Sequence, residues 1–158
     1  MIGISAKSVS KKVLIGILLG GHLTACSHQS INVKSLFSSN NCAIKQQQLT
    51  VLDSQQALDT LLAGIPRRFS ETAPPTVDAD FQQQNLILLA LGQKPSLGYA
   101  IQLKQHDARI KDDTLYLPVD ILEPSQNSFQ AQVITSPCAV FSIPKTDFKR
   151  VKLAGQSD

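Results

Sequence analysis

Few residues in this chain of 158 could carry covalent or acid–base chemistry, and they are unevenly placed. There are three cysteines, Cys26, Cys42 and Cys138, and three histidines, His22, His28 and His106. A nucleophilic site needs a serine or thiol beside an imidazole that a carboxylate orients. His106 is followed by Asp107, but no Gly-x-Ser-x-Gly elbow offers a nucleophile. The pair reads instead as exposed residues at a turn. A zinc site needs three or four suitably spaced ligands, and with the cysteines committed elsewhere the set is missing. Asp78-x-Asp80 and Asp112-Asp113 could suggest a cation, but turn chemistry accounts for acids at such places. The eight glycines are scattered and form neither a phosphate loop nor a dinucleotide fingerprint. The expectation is a protein with no catalytic residue, no metal and no cofactor.

Cys26 is the exception. Lys7, Lys11 and Lys12 precede the apolar run Val13-Leu14-Ile15-Gly16-Ile17-Leu18-Leu19-Gly20-Gly21, and Leu23-Thr24-Ala25-Cys26 follows. A positive end, a short apolar run and small residues at the cut are the parts of a secretory signal. A membrane-spanning anchor needs about 20 predominantly apolar residues, and this run is shorter and ends at His22. The last four residues resemble the lipobox of bacterial lipoproteins, which implies cleavage after Ala25 and acylation of Cys26. Residues 1–25 are therefore expected to be a signal peptide. Ser27, where an Asp would resemble an inner-membrane retention signal, implies the outer membrane of a Gram-negative cell, with the domain facing the periplasm.

Processing changes the charge. The chain carries 15 Lys and Arg against 12 Asp and Glu, and the three lysines of the signal leave with it. The mature chain is then balanced, so net charge gives no argument for nucleic acid. Tryptophan is absent and the tyrosines are Tyr99 and Tyr116, a poor stock for stacking bases or sugars. An oxidising compartment makes a Cys42–Cys138 disulfide the default, with two separate buried thiols as the alternative.

The elements that must position these residues form one domain. Residues 26–41, rich in Ser and Asn, read as a lipidated polar tether holding the domain off the bilayer, with Ile31, Val33, Leu36 and Phe37 able to dock in part. A strand is expected within 43–52. A helix follows, capped by Asp53 with Gln56 in capping-box position, striped by Ala57, Leu58, Leu61 and Leu62, and ended by Gly64 and Pro66. The dense run Leu86–Leu91 reads as a central strand buried on both faces. Further strands are expected from Gly98, from 114 to 121, from 131 to 135 and from 138 to 143, with a polar tail over 149–158. The sum is an α+β fold: a single small domain, residues 42–148, with a mostly antiparallel sheet of about five to six strands and one covering helix.

Pro95-Ser96-Leu97-Gly98-Tyr99-Ala100-Ile101-Gln102-Leu103, the strand and Pro-bearing loop at Leu115–Pro124, and Gln132-Val133-Ile134-Thr135-Ser136-Pro137-Cys138-Ala139-Val140-Phe141-Ser142-Ile143-Pro144-Lys145 together resemble the PrcB carboxy-terminal domain family. That family is named for a lipoprotein subunit of a spirochaete surface protease complex. The likeness covers roughly residues 85–145, and the strand and helix over 44–65 fit the family's usual preamble. Where the family often has Thr-Gly-Gly-Tyr, this chain has Ser96-Leu97-Gly98-Tyr99, which puts any role of the first small residue in doubt. The resemblance implies a non-catalytic accessory domain that binds a protein partner, a protease subunit in the founding case.

Gly98 could allow a close backbone approach, and Tyr99 could present its ring to that partner. The plainer reading is a half-buried Tyr99 at a sheet edge. Lys149-Arg150-x-Lys152 is a solvated basic stretch that near a membrane could touch anionic headgroups. Expected partners are membrane lipid, through Cys26, and one protein. The alternatives are a structural envelope lipoprotein contacting cell wall or lipid, and a hydrolase with an unrecognised site.

Overall fold

The computed structural model describes residues 30–66, 75–125 and 129–155. The expected signal peptide, Cys26 and His28 lie outside the described residues. The elements are β1 (Ser30–Asn32), β2 (Lys34–Ser39), β3 (Gln47–Leu52), α1 (Gln55–Ala63), β4 (Gln84–Leu91), β5 (Ala100–Leu103), β6 (Asp107–Lys111), β7 (Thr114–Leu117), β8 (Val119–Leu122), β9 (Cys138–Pro144) and β10 (Arg150–Leu153).

The run from Leu86 onward organises the fold. β4 has both faces buried, as its unbroken apolar sequence requires. It pairs antiparallel with β9 and with β3, and β2 completes a four-stranded sheet in the order β2-β9-β4-β3. Side chains alternate along β4. Leu86, Leu88 and Ala90, with Val140 and Cys138 of β9, join Leu58, Leu62 and Ile65 of the helical segment in one core cluster. Ile87, Leu89 and Leu91, with Ala139, Phe141 and Ile143, point the other way. There they meet Ile31, Ala108, Leu115, Leu117 and Leu153 from a second sheet, ordered β1-β6-β7-β10. The domain is thus three layers: helix, sheet, sheet.

Helix α1 starts one residue later than the sequence suggested. Ser54, not Asp53, is the N-cap, and its Oγ accepts from the Ala57 N–H at 3.3 Å, while Asp53 accepts from the Ser54 hydroxyl. Gly64 closes the helix. Leu58 is fully buried, and a leucine so placed contributes about 1.5–3 kcal/mol.

The count of about five to six strands is corrected: the described residues form ten strands in three sheets. The pairing is mostly antiparallel, as expected, but β10 runs parallel to β7. Three local causes explain the difference. First, residues 30–39 are strands and not tether. β1 pairs with β6 and β2 with β9, and Ile31 and Val33 are buried at 4% and 0% exposure. Their inward period of two is diluted by Ser and Asn, and a register shift between Ser35 and Phe37 breaks it further. At Val33 the chain passes from one sheet to the other. There its N–H donates to the His106 carbonyl at 2.7 Å, and His106 Nδ1–H donates to the Val33 carbonyl at 3.2 Å.

Second, the stretch read as one strand over 114–121 is split at Pro118 into β7 and β8. Likewise β5 and β6 are separate, so β5–β8 forms a two-stranded ribbon continuing the β6–β7 hairpin. The Lys104 N–H donates to the Pro118 carbonyl at 2.9 Å across this bend. The hairpin closes on Asp112 and Asp113, with φ of 50° and 57°; positive φ at both central residues is the type I′ requirement.

Third, the tail begins with a strand. In β10, Val151 and Leu153 turn inward while Arg150 and Lys152 turn outward. Conversely, the strand expected over 131–135 is absent, and only Thr135 makes a bridge, with Lys94.

Candidate functional site

The loop between β4 and β5 and the segment before β9 run side by side. Lys94 and Thr135 exchange backbone hydrogen bonds of 2.8 and 2.9 Å, and the Leu97 N–H donates to the Ala131 carbonyl at 3.2 Å. The Thr135 hydroxyl, buried, donates to the Ser96 carbonyl at 3.1 Å. The Ser136 hydroxyl donates to the Ile44 carbonyl at 2.6 Å, and the Cys42 N–H donates to the Ser136 carbonyl at 2.8 Å. The Cys42–Cys138 disulfide, with Cα atoms 6.0 Å apart, lies at the same place. The two described segments are therefore held together, and to the chain at Cys42–Ile44, by backbone pairing, buried hydroxyls and a covalent link.

Gly98 sits at the centre. Its φ is +99°, and a Cβ built there would lie 2.9 Å from the Pro124 Cβ and 3.0 Å from Gln130 Oε1. Glycine is needed twice over, for its conformation and for its missing side chain. This close approach is what the sequence position suggested, but its neighbours belong to the domain itself. Tyr99 is half-buried and packs on the core between the sheets, with the Lys94 ammonium 5.1 Å from its ring centroid. The body of the ring is therefore structural, and one part of it faces solvent beside a cation.

Around this pair lie apolar side chains that sequence reasoning did not single out. Leu97, Leu122, Val133 and Ile134 are 41%, 43%, 52% and 68% exposed, and Phe129 is fully exposed. Leu97 precedes Gly98, and Leu122 opposes Ala100 in the β5–β8 ribbon. Val133 and Ile134 precede the Thr135 bridge, and Phe129 precedes the Gln130 that touches Gly98. Exposed large apolar residues gathered at one end of a domain mark an interaction surface more often than single ones do. The available signal was Gln132-Val133-Ile134-Thr135 itself: its β-branched residues suggested a strand, and with no ladder partner they face solvent instead.

His106 is exposed and its ring nitrogen is spent on Val33, away from this surface. Asp112 and Asp113 form the I′ turn. The Lys149 ammonium contacts the Asp113 carboxylate at 2.7 Å and holds that carboxyl below its ordinary pKa, by its hydrogen bond first and its charge second. Asp80 Oδ1 accepts from the N–H groups of Gln82 and Gln83, the Asx-turn role expected of it. Among the described residues no three His, Cys, Asp or Glu side chains are grouped to hold a metal, and no helix is long and apolar enough to cross a membrane.

These features define a small layered domain whose exposed apolar residues surround a rigid glycine–tyrosine loop. Residues 86–144 match the model of the family described as PrcB C-terminal, in agreement with the resemblance read from the sequence. In general terms the match points to an accessory role in a protease complex. No curated protein and no solved structure matches the chain. The matched segment spans β4 to β9. Strands β1, β2, β3 and β10 and helix α1 lie outside it, yet the helix covers one face of its central sheet and the four strands form both outer strands of each larger sheet.

Proposed function

We propose that this chain is an envelope lipoprotein, acylated at Cys26 and held on the periplasmic side of an outer membrane, whose domain binds a protein partner, such as a protease subunit, without itself being a catalyst. The observation that carries the binding reading is the coincidence of the PrcB C-terminal match with the exposed Leu97, Leu122, Val133 and Ile134 around Gly98 and Tyr99. The anchoring reading is supported by the Leu23-Thr24-Ala25-Cys26 sequence. Confinement to a membrane raises the effective concentration toward a partner on the same surface, so a modest interface suffices.

The test is cross-linking and purification of the lipidated protein from membranes. One stoichiometric protein partner is expected. Its binding should weaken about tenfold on Leu97→Ser with Ile134→Ser, because buried apolar anchors dominate such interfaces. The melting temperature should hardly move, since both side chains already face solvent. Recovery of murein alone would refute the protein-binding reading. Membrane association of a Cys26→Ala protein, still processed to the mature size, would refute the lipid anchor.

A further inference from the structure

We propose that the outer face of the sheet β1-β6-β7-β10 is the surface on which the domain lies against an anionic phospholipid membrane. The proposal rests on the reading of Cys26 as the acylated residue.

The register assembles this face from distant positions. One row across the sheet is Ser30, Arg109, Tyr116 and Lys152; the next is Lys111, Thr114 and Arg150. The row between them, Ile110, Leu115 and Val151, points into the core, so these two rows face away from it; Arg109, Lys111 and Arg150 are exposed, Tyr116 and Lys152 half-buried, and Thr114 buried at 2% exposure. The two rows thus hold four cations and one tyrosine, with the Arg109 guanidinium 5.7 Å from the ring centroid, and neither row contains an acid. The carboxylates bordering the rows are Asp107, which accepts from the Ser30 hydroxyl at 3.0 Å and keeps its charge, Asp113, which is paired with Lys149, and Asp112, whose backbone carbonyl accepts from the Arg150 guanidinium at 3.2 Å. A cluster of four or more lysines and arginines beside an amphipathic aromatic is the composition that anionic headgroups attract. The attraction fades within about 10 Å of the surface, so the cations matter only where the domain is held close.

The chain itself supplies that closeness. Ser30 is already in β1, at the end of the row that contains Arg109 and Tyr116. Cys26 precedes it by four residues, which span at most ~14 Å when fully extended. A lipid at Cys26 cannot hold such a domain off the bilayer. It holds this sheet near the headgroups and leaves the helix layer on the far side. A lipid and a basic patch are the two signals that together make peripheral attachment firm.

The chain has no tryptophan, so a single one reports its own position. Lipidated, mature Tyr116→Trp protein and a Gln56→Trp control on the exposed side of α1 are placed in vesicles of brominated phosphatidylcholine, with or without phosphatidylglycerol. Severalfold stronger quenching is expected for Tyr116→Trp than for Gln56→Trp with phosphatidylglycerol present. It should fall to the control level in high salt or on adding Arg109→Glu and Lys111→Glu. Should those reversals disturb folding, the salt titration alone decides. Equal quenching at the two positions, or quenching indifferent to lipid charge, overturns the proposal. So does salt-sensitive shielding of Tyr116→Trp in detergent without vesicles, which would make the face an interface between copies. A mature protein whose mass shows no acyl chain overturns the anchoring reading first; an acylated protein with equal quenching overturns this proposal alone.

Discussion

Cys42 and Cys138, 96 positions apart, are covalently joined beneath the β4–β5 loop, so a residue outside the family-matched segment locks the first position of β9 inside it. Both are buried in the helix-side core. Cross-linking so long a loop raises the free energy of the unfolded chain by restricting it. Replacing both with Ala should lower stability by about 2–4 kcal/mol, read as a lower urea midpoint. An unchanged midpoint would mean that backbone pairing at Ser136 suffices alone.

Gly98 and Gly155 make a controlled comparison. Both have positive φ, but Gly98 faces Pro124 and Gln130, whereas nothing lies within 4 Å of a Cβ at Gly155. Gly155→Ala should cost about 1–2 kcal/mol, from backbone conformation only. Gly98→Ala should cost visibly more, because the Pro124 ring must also give way. Equal losses in thermal melts would contradict the close packing of this loop.

Ile31→Ala tests the reassignment of the amino-terminal segment. If residues 30–39 were a tether, truncating Ile31 would do nothing. Buried at 4% exposure between the sheets, it should cost about 2–5 kcal/mol on chemical denaturation.

The Asp113–Lys149 pair bears on pH. Because the Asp113 carboxyl is held below its ordinary value, its contribution is present above that ordinary value and is lost as pH falls through the lowered one. Both side chains are largely exposed, so the contribution is small. Lys149→Gln should leave the melting temperature at neutral pH and physiological salt almost unchanged and slightly flatten its decline in acid.

What could be read from sequence followed from how far each element states its own environment. β4 was legible because six successive apolar residues admit little but a strand covered on both faces. α1 was legible from its stripe, and its cap was misplaced by one because Asp53 and Ser54 are both good caps and only the backbone decides between them. The PrcB likeness was legible from short Gly-Tyr and Thr-x-Pro segments. β10 carried a signal, Val151 and Leu153 between basic residues, that a polar tail obscured. β1 and β2 were missed because strands on a sheet edge need only one inward residue in two. Of the apolar rim, Val133 and Ile134 were visible but read as a strand, whereas Leu122 beside Ala100 and the basic rows of the second sheet could not be read at all. They are products of register, which pairs residues as distant as Arg109 and Ser30.

The same pairings dictate the order in which the chain can fold. Exported as proposed, the chain emerges on the far side of the membrane from its amino end, where β1 has no partner until Asp107–Lys111 appears, β2 none until Cys138–Pro144, and β7 lacks its outer neighbour until Arg150–Leu153. Such non-local closure is slow, on the order of milliseconds to seconds, because loop entropy is lost before contacts repay it. A nascent chain cut short before β9 would hold β4 with half its neighbours missing and its apolar faces bare. The strands β9 and β10, from Cys138 to Leu153, therefore commit everything formed before them.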